Sequence, residues 1–174
     1  MNKLKLILPS KKYLKSYQNF CRDFIKNGTT EEYRTGYEKQ LASSKKPLFL
    51  KWLHDDSKGI NLEKGMVPMT TYWAIVNDKI VGRINLRHTL NKELRTYGGH
   101  IGYAVRSNEQ GKGYATEMLR QVLLKAKKLG FKKILITCKV SNTGSRKVIE
   151  NNGGILKTIT PHGDRQQCLY WIKL

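Results

Sequence analysis

The chain has 174 residues, 39% of them hydrophobic, and sets 33 Lys and Arg against 13 Asp and Glu. That length suits one domain with a sizeable core, and no apolar run reaches the ~18–20 residues of a membrane span. The net charge of +20 favours polyanionic partners, a phosphorylated cofactor or nucleic acid. The lysines are spread along the chain, however, without the aromatic interleaving of a nucleic-acid platform.

Leu4-Lys5-Leu6-Ile7-Leu8 reads as a first strand, too short for a signal peptide and lacking a small-residue cleavage site. The cysteines, Cys21, Cys138 and Cys168, are odd in number and form no CxxC pair, so a reducing, cytoplasmic setting is expected. Residues 11–26 place Tyr13, Tyr17, Phe20, Cys21, Phe24 and Ile25 at helical spacing behind Ser10, with Asn27-Gly28 as the stop. A second helix begins near Thr30, with Thr30-Glu31-Glu32-Tyr33 as its cap. A short third helix is expected at 48–54, then a loop at 55–67.

Residues 70–76 and 79–88 read as two strands joined by the turn pair Asn77-Asp78. A polar connector, 89–99, ends in Gly98-Gly99 and leads to a strand at 100–106. Residues 113–129 form an amphipathic helix stopped by Gly130. The near-continuous apolar run 134–140 is typical of a strand covered on both faces. Asn142 caps a last helix ending at Asn152-Gly153-Gly154. Strands at 155–159 and 167–174 follow, with Pro161-His162-Gly163-Asp164 as the turn. The order β-α-α-β-β-β-α-β-α-β-β predicts an α/β (α+β) fold, a mixed sheet with flanking helices in a single domain over residues 1–174.

The most informative stretch runs from Val105 to Leu119. It reads as a strand end, a loop bearing Gly111 and Gly113, and the first turns of a helix. A helix start leaves its first four N–H groups unpaired and carries partial positive charge, which suits a phosphate. Glycines remove the side chains that would keep an anion away from those amides.

Gln110-Gly111-Lys112-Gly113-Tyr114-Ala115 resembles, position for position, the Gln/Arg-x-x-Gly-x-Gly/Ala signature of the GNAT superfamily of CoA-dependent N-acyltransferases. The flanking segments from about residue 72 to 154 are similar too. The resemblance implies a mostly antiparallel central sheet of six to seven strands with flanking helices. It also implies transfer of an acetyl group from acetyl-CoA to a primary amine by direct attack. The CoA core would lie at about 72–154, and the helical part at about 10–67 would shape the acceptor site.

Carried over residue by residue, Gly111, Lys112, Gly113, Tyr114 and Ala115 would hold the pyrophosphate, with Gln110 opening the motif. Main-chain groups of Tyr103, Ala104 and Val105 would hold the pantetheine arm and polarise the carbonyl. Asn142 and Ser145 are polar contacts to CoA in that reading; as bare residues they read equally as a helix cap and a small packing residue. His100 stands where many relatives carry a glutamate acting on the amine, and its near-neutral pKa suits a base; it reads as well as a sheet-face histidine with a structural hydrogen bond. Tyr103 is a further catalytic candidate.

The sequence departs from the family at Ile149, where many relatives carry the tyrosine that protonates the leaving thiolate. That loss, with the +20 charge, keeps open an impaired CoA-sensing or nucleic-acid-associated binding module. The four histidines are dispersed and form no metal-ligand spacing. The acceptor amine, on a small molecule or a protein, is left open. A homodimer is permitted by the last strands, and no membrane association is expected.

Overall fold

The computed structural model describes residues 3–27 and 31–174, so the expected stop at Gly28 and cap residue Thr30 lie outside it, as do the side chains of Glu31 and Glu32. The Asn77-Asp78 pair forms the expected tight hairpin, both residues taking positive φ (48° and 55°) that matches the twist of the strands they join. Those strands are β2 (Met69–Val76) and β3 (Lys79–Arg87). With β1 (Lys5–Ile7) and β4 (Ile101–Val105) they form an antiparallel sheet in the order β1-β2-β3-β4. A second antiparallel sheet holds β5 (Lys133–Lys139), β6 (Ile155–His162) and β7 (Arg165–Lys173) in the order β5-β7-β6. Pro161 lies on the edge strand β6, where its missing N–H costs no ladder bond.

Helices α1 (Leu14–Asn27), α2 (Glu31–Ser44) and α3 (Phe49–Lys58) precede β2. The third runs past the expected end at 54. Its stop is Gly59, left-handed at φ 74°, after which the Ile60 N–H donates to the Asp55 C=O at 3.0 Å. Asp55 is absorbed into the helix by its i,i+4 pair with Lys51. Helix α4 (Tyr114–Lys128) follows the glycine loop, and α5 (Thr143–Glu150) follows β5.

Side-chain alternation gives the first sheet two different covers. Tyr72, Ala74, Ile84, Leu86, Ile101 and Val105 pack under Met118, Leu119, Val122 and Ala126 of α4 and against Ile134, Ile136 and Tyr170 of the second sheet. The other face carries an aromatic cluster, Tyr17, Phe20, Tyr37, Phe49 and Trp73, in which the Tyr17 and Trp73 rings stack at 4.5 Å. That cluster fastens α1, α2 and α3 to the sheet.

The two sheets meet at one end only. His100 N–H donates to the Leu135 C=O at 2.8 Å, Leu135 N–H donates to His100 Nδ1 at 2.9 Å, and Gly98 N–H donates to Thr137 Oγ1 at 2.8 Å. A Cβ at Gly99 would stand 2.5 Å from the Leu135 carbonyl oxygen, so only glycine allows this approach. Beyond that junction no hydrogen bond joins β4 to β5 among the described residues.

Candidate active site

Where the sheets part, a cleft of about 690 Å³ opens between β4, the start of α4 and the start of α5. Its floor follows from strand geometry. Arg87 N–H donates to the His100 C=O and Arg106 N–H to the Val81 C=O, so even-numbered residues of β4 turn their main-chain groups toward β3. Tyr103 and Val105 therefore turn theirs toward the cleft. Ala104 is committed to the ladder, opposite Arg83, and lines the cleft without offering it a main-chain group.

The glycine loop forms the rim. Gln110 Nε2 donates to the Val105 C=O at 3.2 Å and folds the loop over the strand end. Gly111 and Gly113 sit at φ 78° and 76°, and a Cβ on either would meet nothing within 4 Å. Gly113 is the helix N-cap, in the left-handed region and without a side-chain cap bond. The consequence is a row of six consecutive amides, Gly111 to Thr116, with no hydrogen-bond acceptor among the described residues. These amides and the helix dipole favour an anion. Lys112 pairs with Glu109 at 2.8 Å, neutralising the acid nearest the rim.

Across the cleft, Asn142 Oδ1 accepts from the Ser145 N–H at 2.9 Å and caps α5. Ser145 Oγ lies 2.7 Å from the Tyr103 hydroxyl. Burial pushes the Tyr103 phenol up to about 12, against the opposing effect of that hydrogen bond. Ile149 is fully buried in the core and faces no part of the cleft.

His100 is drawn away from the site. Its Nδ1 is occupied by the Leu135 N–H, its ring meets Phe131 edge-on at 5.6 Å, and it does not line the cleft. Burial lowers its pKa to about 4, aided by Arg95 and Arg87. Of its two sequence readings, the geometry matches the sheet histidine and departs from the base.

The sequence reading gave the segment that holds α1 to the acceptor site and missed its place at this cleft. Asp23 accepts from the Ser107 N–H at 3.0 Å and approaches Arg106 at 3.9 Å, bringing Phe24 and Asn27 to the cleft wall. An isolated aspartate on an amphipathic helix gives no sign of that. A second groove, about 460 Å³ over β5, β6 and β7, offers lysines and apolar side chains with no grouping suited to acyl transfer. No group of three or more His, Cys, Asp or Glu that could hold a metal occurs among the described residues.

Splayed sheets with an amide-lined cleft at a helix start define a CoA-type acyltransferase scaffold. The family model described as acetyltransferase (GNAT) domain matches residues 19–155, extending the likeness back into α1. The chain belongs to this family of acetyl-CoA-dependent N-acetyltransferases.

No curated protein matches the chain in sequence. Among solved structures it is similar to MccE, a microcin self-immunity acetyltransferase in complex with acetyl-CoA and AMP, at 19% identity and a TM-score of 0.69, covering 100% of this chain and 94% of that one. It is similar to RimJ of Mycobacterium smegmatis, in complex with a CoA disulfide, at 17% identity and 0.71, covering 98% and 81%. It is also similar to RimL, a ribosomal-protein alpha-N-acetyltransferase in complex with CoA, at 14% and 0.72, covering 100% and 96%. These likenesses bear on the fold.

Proposed function

We propose that the cleft holds acetyl-CoA and that the enzyme moves the acetyl group to a primary amine by direct attack. The single observation that carries this reading is the row of six free amides, Gly111 to Thr116, at the mouth of a cleft floored by outward main-chain groups. The residues fit the co-substrate: the glycines leave the amides open, and the nearest acid is already paired. Bound there, acetyl-CoA supplies an activated acetyl thioester.

The loop amides and the α4 dipole hold the pyrophosphate, with Lys112 free to add charge when it leaves Glu109. The main-chain groups of Tyr103 and Val105 align the pantetheine arm, and an N–H of this strand edge polarises the acyl oxygen. Asn142 has its Oδ1 committed to the cap, which leaves its amide NH₂ for the ligand. The Tyr103 hydroxyl, protonated at all working pH values and held by Ser145, is the donor available to the leaving thiolate. It takes the role lost at Ile149.

Direct transfer is favoured over an acetylated cysteine. All three thiols are buried, and burial pushes Cys21 and Cys138 up to about 11, far from thiolate formation.

The test is calorimetric titration of acetyl-CoA into the wild type and a Gly113→Trp variant, with ATP as polyanion control. Binding should fall about a hundredfold or more in the variant, since the indole covers the amides on which the site depends. Equal, salt-sensitive binding of ATP and acetyl-CoA by both proteins would reduce the site to its charge and favour a polyanion-binding module.

A further inference from the structure

The opposite face of the first sheet holds polar groups that the acetyl-CoA reading does not use. Along β3 the side chains alternate: Ile84 and Leu86 enter the core beneath α4, while Arg83, Asn85 and Arg87 project on the side of α1 and α2. Across the ladder Arg83 faces Ala104, Asn85 faces Gly102, and Arg87 bonds to His100. Gly102 leaves the space above Asn85 open, since a Cβ there would meet nothing within 4 Å.

Three buried polar atoms on this face lack partners: Arg83 Nε, Asn85 Oδ1 and the indole Nε1 of Trp73, which pairs with Arg83 across β2 and β3. Arg83 has one N–H on Gln40 Oε1, and its guanidinium lies 5.5 Å from the centre of the Tyr37 ring. Arg87 donates Nη1 to the carbonyls of Gly98 and Gly99. Among the described residues neither guanidinium is paired with a carboxylate. Two arginines on one half-buried stripe repel each other, and Arg87 is held below its ordinary pKa first by burial and then by Arg83. Uncompensated cations and orphaned donors are costly to bury, and an incoming oxyanion relieves that cost.

We infer that this stripe binds the acceptor, and that the acceptor is an amine carrying its own oxyanion, a carboxylate or a phosphate close to the amino group. The inference rests on the acetyl-CoA reading of the cleft on the other side of β4. The arginines offer planar forks suited to either oxyanion. Asn85 Oδ1 accepts from the amine and holds it over Gly102, next in sequence to Tyr103, whose main chain turns into the cleft. Transfer then forms the N–C bond at the acyl carbon and breaks its C–S bond. The sulfur leaves with the bonding pair and takes a proton from the Tyr103 hydroxyl; the attacking nitrogen gives up a proton to water, and water returns one to the Tyr103 oxygen, which restores the phenol. A polyamine meets like charge on this stripe and is disfavoured.

The test is calorimetry on the full chain saturated with CoA, using leucine against leucinamide for the carboxylate and O-phosphoethanolamine against ethanolamine for the phosphate, with spermidine as the polycation. At least one oxyanion-bearing member should bind about tenfold or more tightly than its neutral partner. The better pair tells which oxyanion is read. Arg87→Gln and the volume-preserving Asn85→Asp should each cut that margin severalfold while CoA affinity, which reports intact folding, stays at the wild-type value.

The inference is overturned if neither pair shows a margin, including the case where nothing binds, or if spermidine is preferred. A margin unchanged in both variants also overturns it, because the general positive charge is then responsible. If CoA itself does not bind the wild type, the proposed function fails and the acceptor reading with it. CoA binding without an oxyanion margin sinks the acceptor reading alone.

Discussion

The two sides of β4 present different kinds of atoms. On the cleft side, the edge of Tyr103 and Val105 and the loop from Gly111 to Thr116 present main-chain groups, and most nearby side chains are small, paired or apolar. On the α1–α2 side, Arg83, Asn85 and Arg87 present side chains, and the main chain is committed to the ladder. A site built from backbone depends on conformation, hence on glycines at fixed places. A site built from side chains depends on which residues the fold brings together. The first kind tolerates change of almost any side chain and is ruined by a Cβ; the second is the reverse.

The sharpest way to break the backbone side is at its hinge. Gly99→Ala adds a Cβ that meets the Leu135 carbonyl oxygen at 2.5 Å, on a residue already at φ 60°. It should destabilise the protein by about 3 kcal/mol, read as a lowered denaturant midpoint with unchanged slope. A loss under ~0.5 kcal/mol would mean that the sheets separate easily at this junction.

Next in size, Tyr103→Phe tests the side chain proposed to protonate the leaving thiolate. Turnover of a good acceptor should fall about tenfold to a hundredfold with acetyl-CoA affinity unchanged. Because the phenol sits up at about 12, the wild-type rate should show no decline attributable to it between pH 7 and 10, where it stays protonated. Unaltered turnover in the variant would return protonation of the thiolate to solvent.

A smaller effect separates structure from catalysis at His100. Its folded pKa is depressed from 6.5 to about 4, so the neutral ring is the one the fold accepts. Above pH 6.5 folded and unfolded states are both neutral and this contribution is fully present. As pH falls from 6.5 toward 4 the unfolded chain takes up the proton first, and stability declines. In His100→Asn, whose Oδ1 can accept the Leu135 N–H in place of Nδ1, that part of the decline between pH 6.5 and 4 should disappear from equilibrium unfolding curves. Persistence of the full decline in the variant would assign the pH dependence to other groups. Loss of turnover in the variant with stability intact would restore His100 to the chemistry.

The same contrast explains what could be read from the chain. The glycine loop was legible as a structure because its requirement, two glycines between a strand and an amphipathic helix, is local, and residues 110–115 contain it whole. The hairpin at Asn77-Asp78 and the cap at Asn142 were legible for the same reason. His100 was ambiguous because a histidine at a strand start reads equally as base or prop, and the partner of its Nδ1, Leu135, lies 35 residues away. The end of α3 was misplaced because Asp55-Asp56 suggested a loop, while the stop came from Gly59. Residues 79–88, which contain Arg83, Asn85 and Arg87, were legible as a strand. That its polar side is covered by helices rather than water depends on the aromatic cluster from α1, α2 and α3, which no local pattern announces.

The single seam between the sheets has a consequence for mechanics. Two ladders of four and three strands are tacked together at Gly98–His100 and stand apart beyond. Under the proposed function, a ligand arm laid along the exposed edge of β4 would act there as a provisional strand, completing a sheet that the polypeptide leaves unfinished. Loading the enzyme and cementing its two halves are then one event. Amide exchange near the open end should slow on loading, while the tacked end, already joined, changes little.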